Sequence, residues 1–291
     1  MKQYIALDIG GTAIKYGIYN DEYKETHSGK IPTEKDPQEF LVQIVDLVNE
    51  LKNKFNIDGV AISIGGFIDP VNGKNDDHTI GDNFKAFNLK KEIFERCNIT
   101  TEIENDANCA AIAEYANGAA KGIKDFCVVT VGTGIGGGII HDGKLLRGSK
   151  FRAGEFGIMY VNHDLENGNE TFTSANAMSV LVKSVSKKLD KKIDGEYIFN
   201  NLENEIIKPI YDLWLWELAM NIVNVMVCFD PEIMLVGGGV SNQEIFIEEL
   251  RKRIYHLQPY LKNVPIKACE LKNDAGKIGA VYHFKQMQGL V

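Results

Sequence analysis

Twice in this chain an apolar strand runs into a turn of glycine and threonine and leaves it at once as a second apolar strand. The first passage is residues 3–9, the turn "GGT" at 10–12, and residues 13–19. The second opens at 125 with "DFCVVTV", turns through "GTGIGGG", and continues into "GIIHDGKLL", whose Asp-Gly pair predicts a type I′ hairpin. A start repeated in this way is a coarse internal repeat, and it predicts two related halves.

The segments after each start complete an α/β pattern. Residues 37–55 have helical spacing, with Phe40, Ile44, Leu47, Val48, Leu51 and Phe55 on one face. A buried strand at 59–66, a long polar loop at 67–88, a helix at 89–97, a strand at 100–105 and a small-residue helix at 106–120 follow. In the second half helices dominate 174–229, including a helix opening at 174. A strand at 231–239 ends in glycines. Ser241 and Glu244 predict a capping box that opens a helix at 242–256, and a last helix spans 275–288. Strands alternating with helices in this order give the α/β class.

Composition narrows the function. The chain has 291 residues, 44% hydrophobic and 25% charged, as expected of an enzyme-sized globular protein of one large or two ordinary domains. A net charge of −8 argues against a nucleic-acid partner, whose affinity rests on neutralising phosphates. No uninterrupted apolar run of about 18 residues is present, which predicts no membrane span. Met1 and Lys2 lead straight into a strand pattern, so no signal peptide is expected. Cys97, Cys109, Cys127, Cys228 and Cys269 are odd in number and far apart, and read as reduced core residues of a cytoplasmic protein. Without a CxxC or Cys/His cluster, structural zinc is not expected.

Three glycine turns end apolar strands: Gly10-Gly11-Thr12, Gly132-Thr133-Gly134 and Gly237-Gly238-Gly239. Backbone N–H groups hold phosphate oxygens where no side chain blocks them, and ligands of α/β sheets gather at the carboxyl ends of strands. Three such mouths suggest one large phosphorylated ligand. "GTGIGG" fits the dinucleotide fingerprint, but that reading requires a helix directly after it, and a hairpin stands there. Asp8 beside a phosphate turn would repel the ligand unless Mg²⁺ lay between; the alternative is that it caps the turn. Lys15 either approaches a phosphate or lies on the surface. In "ENDAN", Asp106 is either a helix cap or a base that takes a proton from an attacking hydroxyl, which Asn105 would orient. Glu155 in "AGEFG" is either a turn residue or a ligand.

Together these segments resemble the ROK family of sugar kinases and repressors. "LDIGGTAIKYGIYN" is similar to the first phosphate motif and "TVGTGIGGGIIHDGKLLRG" to the second. "ENDANCAAIAE" resembles the catalytic segment, "AGEFG" the start of the sugar-binding run and "VGGGV" the adenosine turn. "SIGGFIDPVNG" resembles the Pro-Gly-x-x-Asp segment, with Gly65 in place of the proline. The resemblance implies a two-domain, actin-like and hexokinase-like ATPase (ribonuclease H-like) α/β fold with an interdomain cleft. It implies domains at 1–115 and 116–276, with the C-terminal helix, 277–291, packing back on the first. It implies ATP and Mg²⁺ as cofactors, held by Asp8, Gly10, Gly11, Thr12, Lys15, Gly132, Thr133, Gly134, Gly237, Gly238 and Gly239, with Asp8 facing the metal through water. Asp106 would be the catalytic base, and Gly66, Asn83, Asn105, Asp106, Glu155 and Glu170 would bind the sugar. A homodimer is also implied.

Two departures bear on specificity. Ile158 stands where the family has a histidine, and the family's Cys-rich zinc loop is missing. Losing a polar reader relaxes the demand for a free hydroxyl near the anomeric carbon. The expectation is a kinase acting on the 6-hydroxyl of the glucosyl unit of a β-glucoside such as cellobiose. The alternatives are a free hexose or N-acetylmannosamine as substrate, or a non-catalytic sugar-sensing regulator. With only three residues before Tyr4, the DNA-binding domain that family repressors carry before the first phosphate turn is not expected.

Overall fold

The structure is a computed structural model that describes residues 2–77, 81–164 and 168–291, with the side chains of 163–169 outside the described set. It divides into two compact units, one of residues 1–117 with 147–153 and 273–291, the other of residues 118–146 with 154–272.

The first unit is built on strands β1 (Gln3–Ile9), β2 (Ala13–Asn20) and β3 (Glu25–Pro32), helix α1 (Pro37–Lys54) and strand β4 (Gly59–Ile64). A short hairpin, β5 (Ile68–Asp69) and β6 (Lys74–Asn75), leads to helices α2 (Asp82–Lys85) and α3 (Leu89–Cys97), strand β7 (Thr101–Asn105) and helix α4 (Asp106–Asn117). The segment read from sequence as a polar loop, 67–88, thus carries a hairpin and a helical turn. The sheet order is β3-β2-β1-β4-β7. β1 and β2, and β2 and β3, are antiparallel, while β1, β4 and β7 run parallel. β3 is absent from the sequence reading because it is an outer strand with mostly exposed residues, so it lacks an apolar signature. α1 begins where Asp36 accepts the N–H groups of Gln38 and Glu39, with Pro37 in the first turn, where its missing N–H costs nothing. Its buried stripe of Phe40, Leu41, Ile44, Leu47, Val48 and Leu51 packs on Ile5, Leu7, Val60 and Ile62 of the sheet. Each such side chain contributes about 1.5–3 kcal/mol when fully buried.

The second unit repeats the plan with strands β8 (Phe126–Val131), β9 (Ile135–His141) and β10 (Lys144–Leu145). Asp142 and Gly143 between the last two both have positive φ, 48° and 70°, as the type I′ expectation requires. Then come β11 (Tyr160–Asp164), β12 (Gly168–Thr171), α5 (Phe172–Asn176), α6 (Met178–Leu189), α7 (Gly195–Phe199), α8 (Ile207–Phe229), β13 (Ile233–Gly237), α9 (Glu244–Leu257) and β14 (Ile266–Ala268). The sheet order is β10-β9-β8-β13-β14, with the first three strands antiparallel and β8, β13 and β14 parallel. Both sheets therefore share order and polarity, as the repeat predicts. The last helix, α10 (Ala275–Met287), belongs to the first unit and packs on α4, β1 and β4.

Two local expectations are corrected. The helix expected from 174 is two helices, because Trp214 Nε1 donates to Asn176 O at 3.1 Å and Ala177 turns extended. The Ser241/Glu244 capping box does not form: Ser241 Oγ donates to Gly238 O at 2.8 Å, and α9 opens later, at Glu244, without a side-chain cap. Finally, α8 is long and apolar enough to cross a membrane by length and composition, although no uninterrupted run of that length exists. Here it packs as a core helix, with Trp214, Leu215, Leu218 and Ile222 buried.

Candidate active site

In the first unit the polar residues converge on the carboxyl ends of β1, β4 and β7. Strand register sets Asp8 opposite Lys15 on one side and Ser63 on the other. Ser63 Oγ donates to Asp8 Oδ1 at 2.9 Å, and Lys15 Nζ lies 3.6 Å from Asp8 Oδ2. Gly276 of α10 lies so close that a Cβ there would meet Asp8 Oδ1 at 2.6 Å. The turn of Gly10, Gly11 and Thr12 is exposed, and its carbonyl oxygens are engaged by neighbouring residues. Thr33 Oγ1 donates to Gly10 O at 2.7 Å, Lys35 Nζ to Gly11 O, and Thr33 N–H to Thr12 O at 3.1 Å. Engaging the carbonyls removes negative partial charge from the face a phosphate would approach.

Asp106 opens α4 directly after β7. Asn105 acts as the helix cap: its Oδ1 accepts the N–H of Asn108 at 3.0 Å, and its Nδ2 donates to Gly66 O at 3.0 Å. Gly65 lies beside Asp106, since a Cβ on it would be 3.9 Å from Asp106 Oδ2. Desolvation by surrounding protein and, second, the Asp8 carboxylate raise the Asp106 pKa above the ordinary range, against backbone N–H bonds that lower it. Asp106 is still exposed. Asn83 is buried on α2, with its Nδ2 held by Glu34 O at 2.8 Å.

In the second unit, Gly132 and Thr133 after β8 and Gly239 after β13 line one cavity of about 700 Å³, within the range of ligand pockets. Met178, Val182 and Phe199 give it apolar walls, and Lys183 gives it a cation. Ser179 Oγ fixes the turn by donating to Thr133 O at 2.7 Å. Gly134, Gly237 and Gly238 are not among the lining residues. Gly238 has φ 87°, and any Cβ there would strike Val131 O at 2.1 Å, so its place in the turn requires glycine. The helix-borne lining residues escaped the sequence reading because they lie on α6 and α7, outside any glycine pattern.

Glu155 is half-buried at the start of a short 3-10 turn. Glu170 is exposed on β12, accepting from Asn162 Nδ2 at 3.2 Å. Ile158 is 56% exposed and does not pack into the core. Glu217 of α8 lies outside every motif named above. Burial and then the Glu170 charge raise its pKa, while a bond from Asn176 opposes them. A carboxylate inside the apolar run "LWLWELAMN" was the available signal. Among the described residues, no group of three or more His, Cys, Asp or Glu is placed to hold a metal.

The ROK family model matches residues 4–287, and the chain belongs to the ROK family. It is 34% identical over 294 residues to a β-glucoside kinase of Listeria monocytogenes, covering 97% of each chain. Among solved structures it is similar to a Listeria monocytogenes protein described as a candidate N-acetylmannosamine kinase, with TM-score 0.89, 31% identity, and 98% and 99% of the two chains covered. It is also similar to a ROK family glucokinase from Streptomyces griseus in complex with glucose and AMPPNP, with TM-score 0.81, 26% identity, and 96% and 97% covered. The fold is the hexokinase-like, actin-like α/β fold.

Proposed function

We propose that this protein is an ATP- and Mg²⁺-dependent sugar kinase that phosphorylates the 6-hydroxyl of the glucosyl unit of a β-glucoside such as cellobiose. The observation that carries the kinase reading is Asp106: an exposed carboxylate at the first turn of α4, with a raised pKa, beside Asn105 and Gly65. A base with a pKa nearer neutrality is better matched to proton abstraction at physiological pH. As the 6-oxygen attacks the γ-phosphorus, its proton passes to Asp106, the bond from γ-phosphorus to the bridging oxygen breaks, and ADP leaves.

The turn at Gly10, Gly11, Thr12 and Lys15 is assigned to the β- and γ-phosphates. The cavity at Gly132, Thr133 and Gly239 is assigned to the remainder of the nucleotide, with Gly134, Gly237 and Gly238 shaping its turns. Asp8 would hold Mg²⁺, which would neutralise the phosphate charge. The ion keeps several waters and needs only one or two carboxylates, so Asp8 alone suits it. Gly66, Asn83, Asn105, Glu155 and Glu170 are assigned to the sugar.

Specificity for a β-glucoside is supported by the similarity to the Listeria β-glucoside kinase and by Ile158, an exposed apolar residue where family members hold a histidine. A free hexose or N-acetylmannosamine is the alternative, supported by the other two similarities. The homodimer reading is supported by α8, where Leu213, Met220 and Val227 recur every seven residues as exposed apolar side chains, the spacing two packed helices use. Cytoplasmic location is supported by five free cysteines, four of them buried. Coupled measurement of ADP formation with cellobiose, glucose and N-acetylmannosamine tests the whole reading; no sugar-dependent ADP with any sugar would refute it.

A further inference from the structure

Two residues before Asp106, Glu104 is wholly buried. An ionised carboxylate in that position is costly unless donors surround it. Three do. Asn105 N–H and Asn108 Nδ2 donate to Oε1 at 2.8 and 3.0 Å, and Arg147 Nε donates to Oε2 at 2.7 Å. Arg147 lies in the short segment 147–153 that belongs to the first unit. Its other end lies 3.3 Å from His283 Nδ1. Arginine only donates, so that nitrogen is the acceptor and the imidazole is neutral.

Two of these donors belong to the turn that carries Asp106. Asn105 is anchored by its own N–H to Glu104, and its side chain reaches Gly66 O and the N–H of Asn108. Asn108 is anchored in turn by its side chain to Glu104. The peptide of Asp106 is therefore bracketed on both sides by groups fixed to one buried carboxylate. A neutral residue of similar shape could accept some of these bonds but would not pair with the Arg147 cation.

We propose that Glu104, clamped by Arg147, is a positioning residue for Asp106: it aims the carboxylate without touching the substrate. The inference rests on the reading of Asp106 as the base. A misplacement of about 1 Å can cost roughly a hundredfold in rate.

The test compares kcat, sugar KM and ADP affinity in E104Q, R147M, R147K and the double variant E104L/R147L, alongside D106N. An apolar pair in place of a buried ion pair is often neutral to stability, so the double variant separates folding from aim. The expected result is a folded double variant whose kcat is about 10–100-fold down, with sugar KM and ADP affinity within about threefold. E104Q should lose kcat in the same way, and R147K should lie between R147M and wild type. A folded double variant with kcat within twofold of wild type would overturn the proposal, as would a loss that follows only KM or the folded fraction. If the double variant does not fold, E104Q decides by the same criteria. If D106N keeps its turnover, the base reading itself fails; if D106N is inactive and E104Q is fully active, only the present inference fails.

Discussion

The two five-stranded sheets share order and polarity, yet matching positions carry opposite chemistry. On β1 the residue before the strand's last is Asp8, paired across the hairpin with Lys15 and on its parallel side with Ser63. At the same place on β8 stands Thr130, paired with Gly136 and Gly237. One sheet ends in a carboxylate, an ammonium and a hydroxyl; the other ends in a hydroxyl and two positions without side chains. The first arrangement can manage charge and protons. The second carries no charge, and the turn just beyond it, at Gly132 and Thr133, lines a cavity with apolar walls. Under the proposed function, one scaffold used twice is divided between reacting and holding, and the strand-end residues set the difference.

Exchanging residues between these roles should give effects of graded size. The largest is expected at Asp106. D106N keeps the shape but cannot accept the proton, so kcat should fall about 10²–10⁴-fold while sugar and nucleotide binding persist. Retention of more than half the wild-type turnover would exclude Asp106 as the base. Next is D8T, which places in the first sheet the residue the second sheet uses. Loss of the carboxylate should lower kcat by about a hundredfold and raise the Mg²⁺ concentration needed for half-maximal rate; an unchanged Mg²⁺ dependence would remove Asp8 from the metal's surroundings.

His283 offers a smaller effect, read in stability. Burial pushes its pKa down from 6.5 to about 4, with the Arg147 and Lys90 charges acting in the same sense and Glu104 opposing. Between those two values the unfolded chain binds a proton that the folded chain does not. Stability is therefore full above pH 6.5 and falls as the pH drops toward 4, by on the order of 3 kcal/mol from this group. H283Q should flatten that part of the urea-unfolding profile, and an unaltered slope would contradict it. The smallest effect on stability is expected for K15M. The Lys15–Asp8 pair is 3.6 Å long and 40% and 22% exposed, so its loss should change stability by no more than about 1 kcal/mol. A loss above about 2 kcal/mol in the same unfolding assay would show a stronger role than an exposed pair can have.

Much of this molecule was legible in its sequence because strand-end chemistry is local. The repeated start, the Asp-Gly hairpin, the stripe on α1 and the helix-opening position of Asp106 all follow from residues within a few positions of one another. What was hidden depends on distant partners. The Ser241 hydroxyl had a competing acceptor, Gly238 O, and chose it over a capping role. The break at Ala177 depends on Trp214, far along the chain. β3 carries no periodic apolar signal because a single neighbouring strand holds it. The same holds for the site. Glycine turns announce themselves, whereas Met178, Val182 and Phe199 join the cavity only when their helices fold over it. Glu104 reads as an ordinary strand residue until Arg147, 43 positions later, reaches it.

The central claim, a kinase that accepts a glucosyl ring whose anomeric oxygen is already substituted, is tested most directly by comparing kcat/KM. ADP formation should be measured with cellobiose, glucose and N-acetylmannosamine under identical ATP and Mg²⁺, with the phosphorylated position read by ³¹P NMR. The account predicts that cellobiose has the highest kcat/KM of the three and carries its new phosphate on a 6-oxygen. A tenfold preference for glucose or N-acetylmannosamine would contradict it.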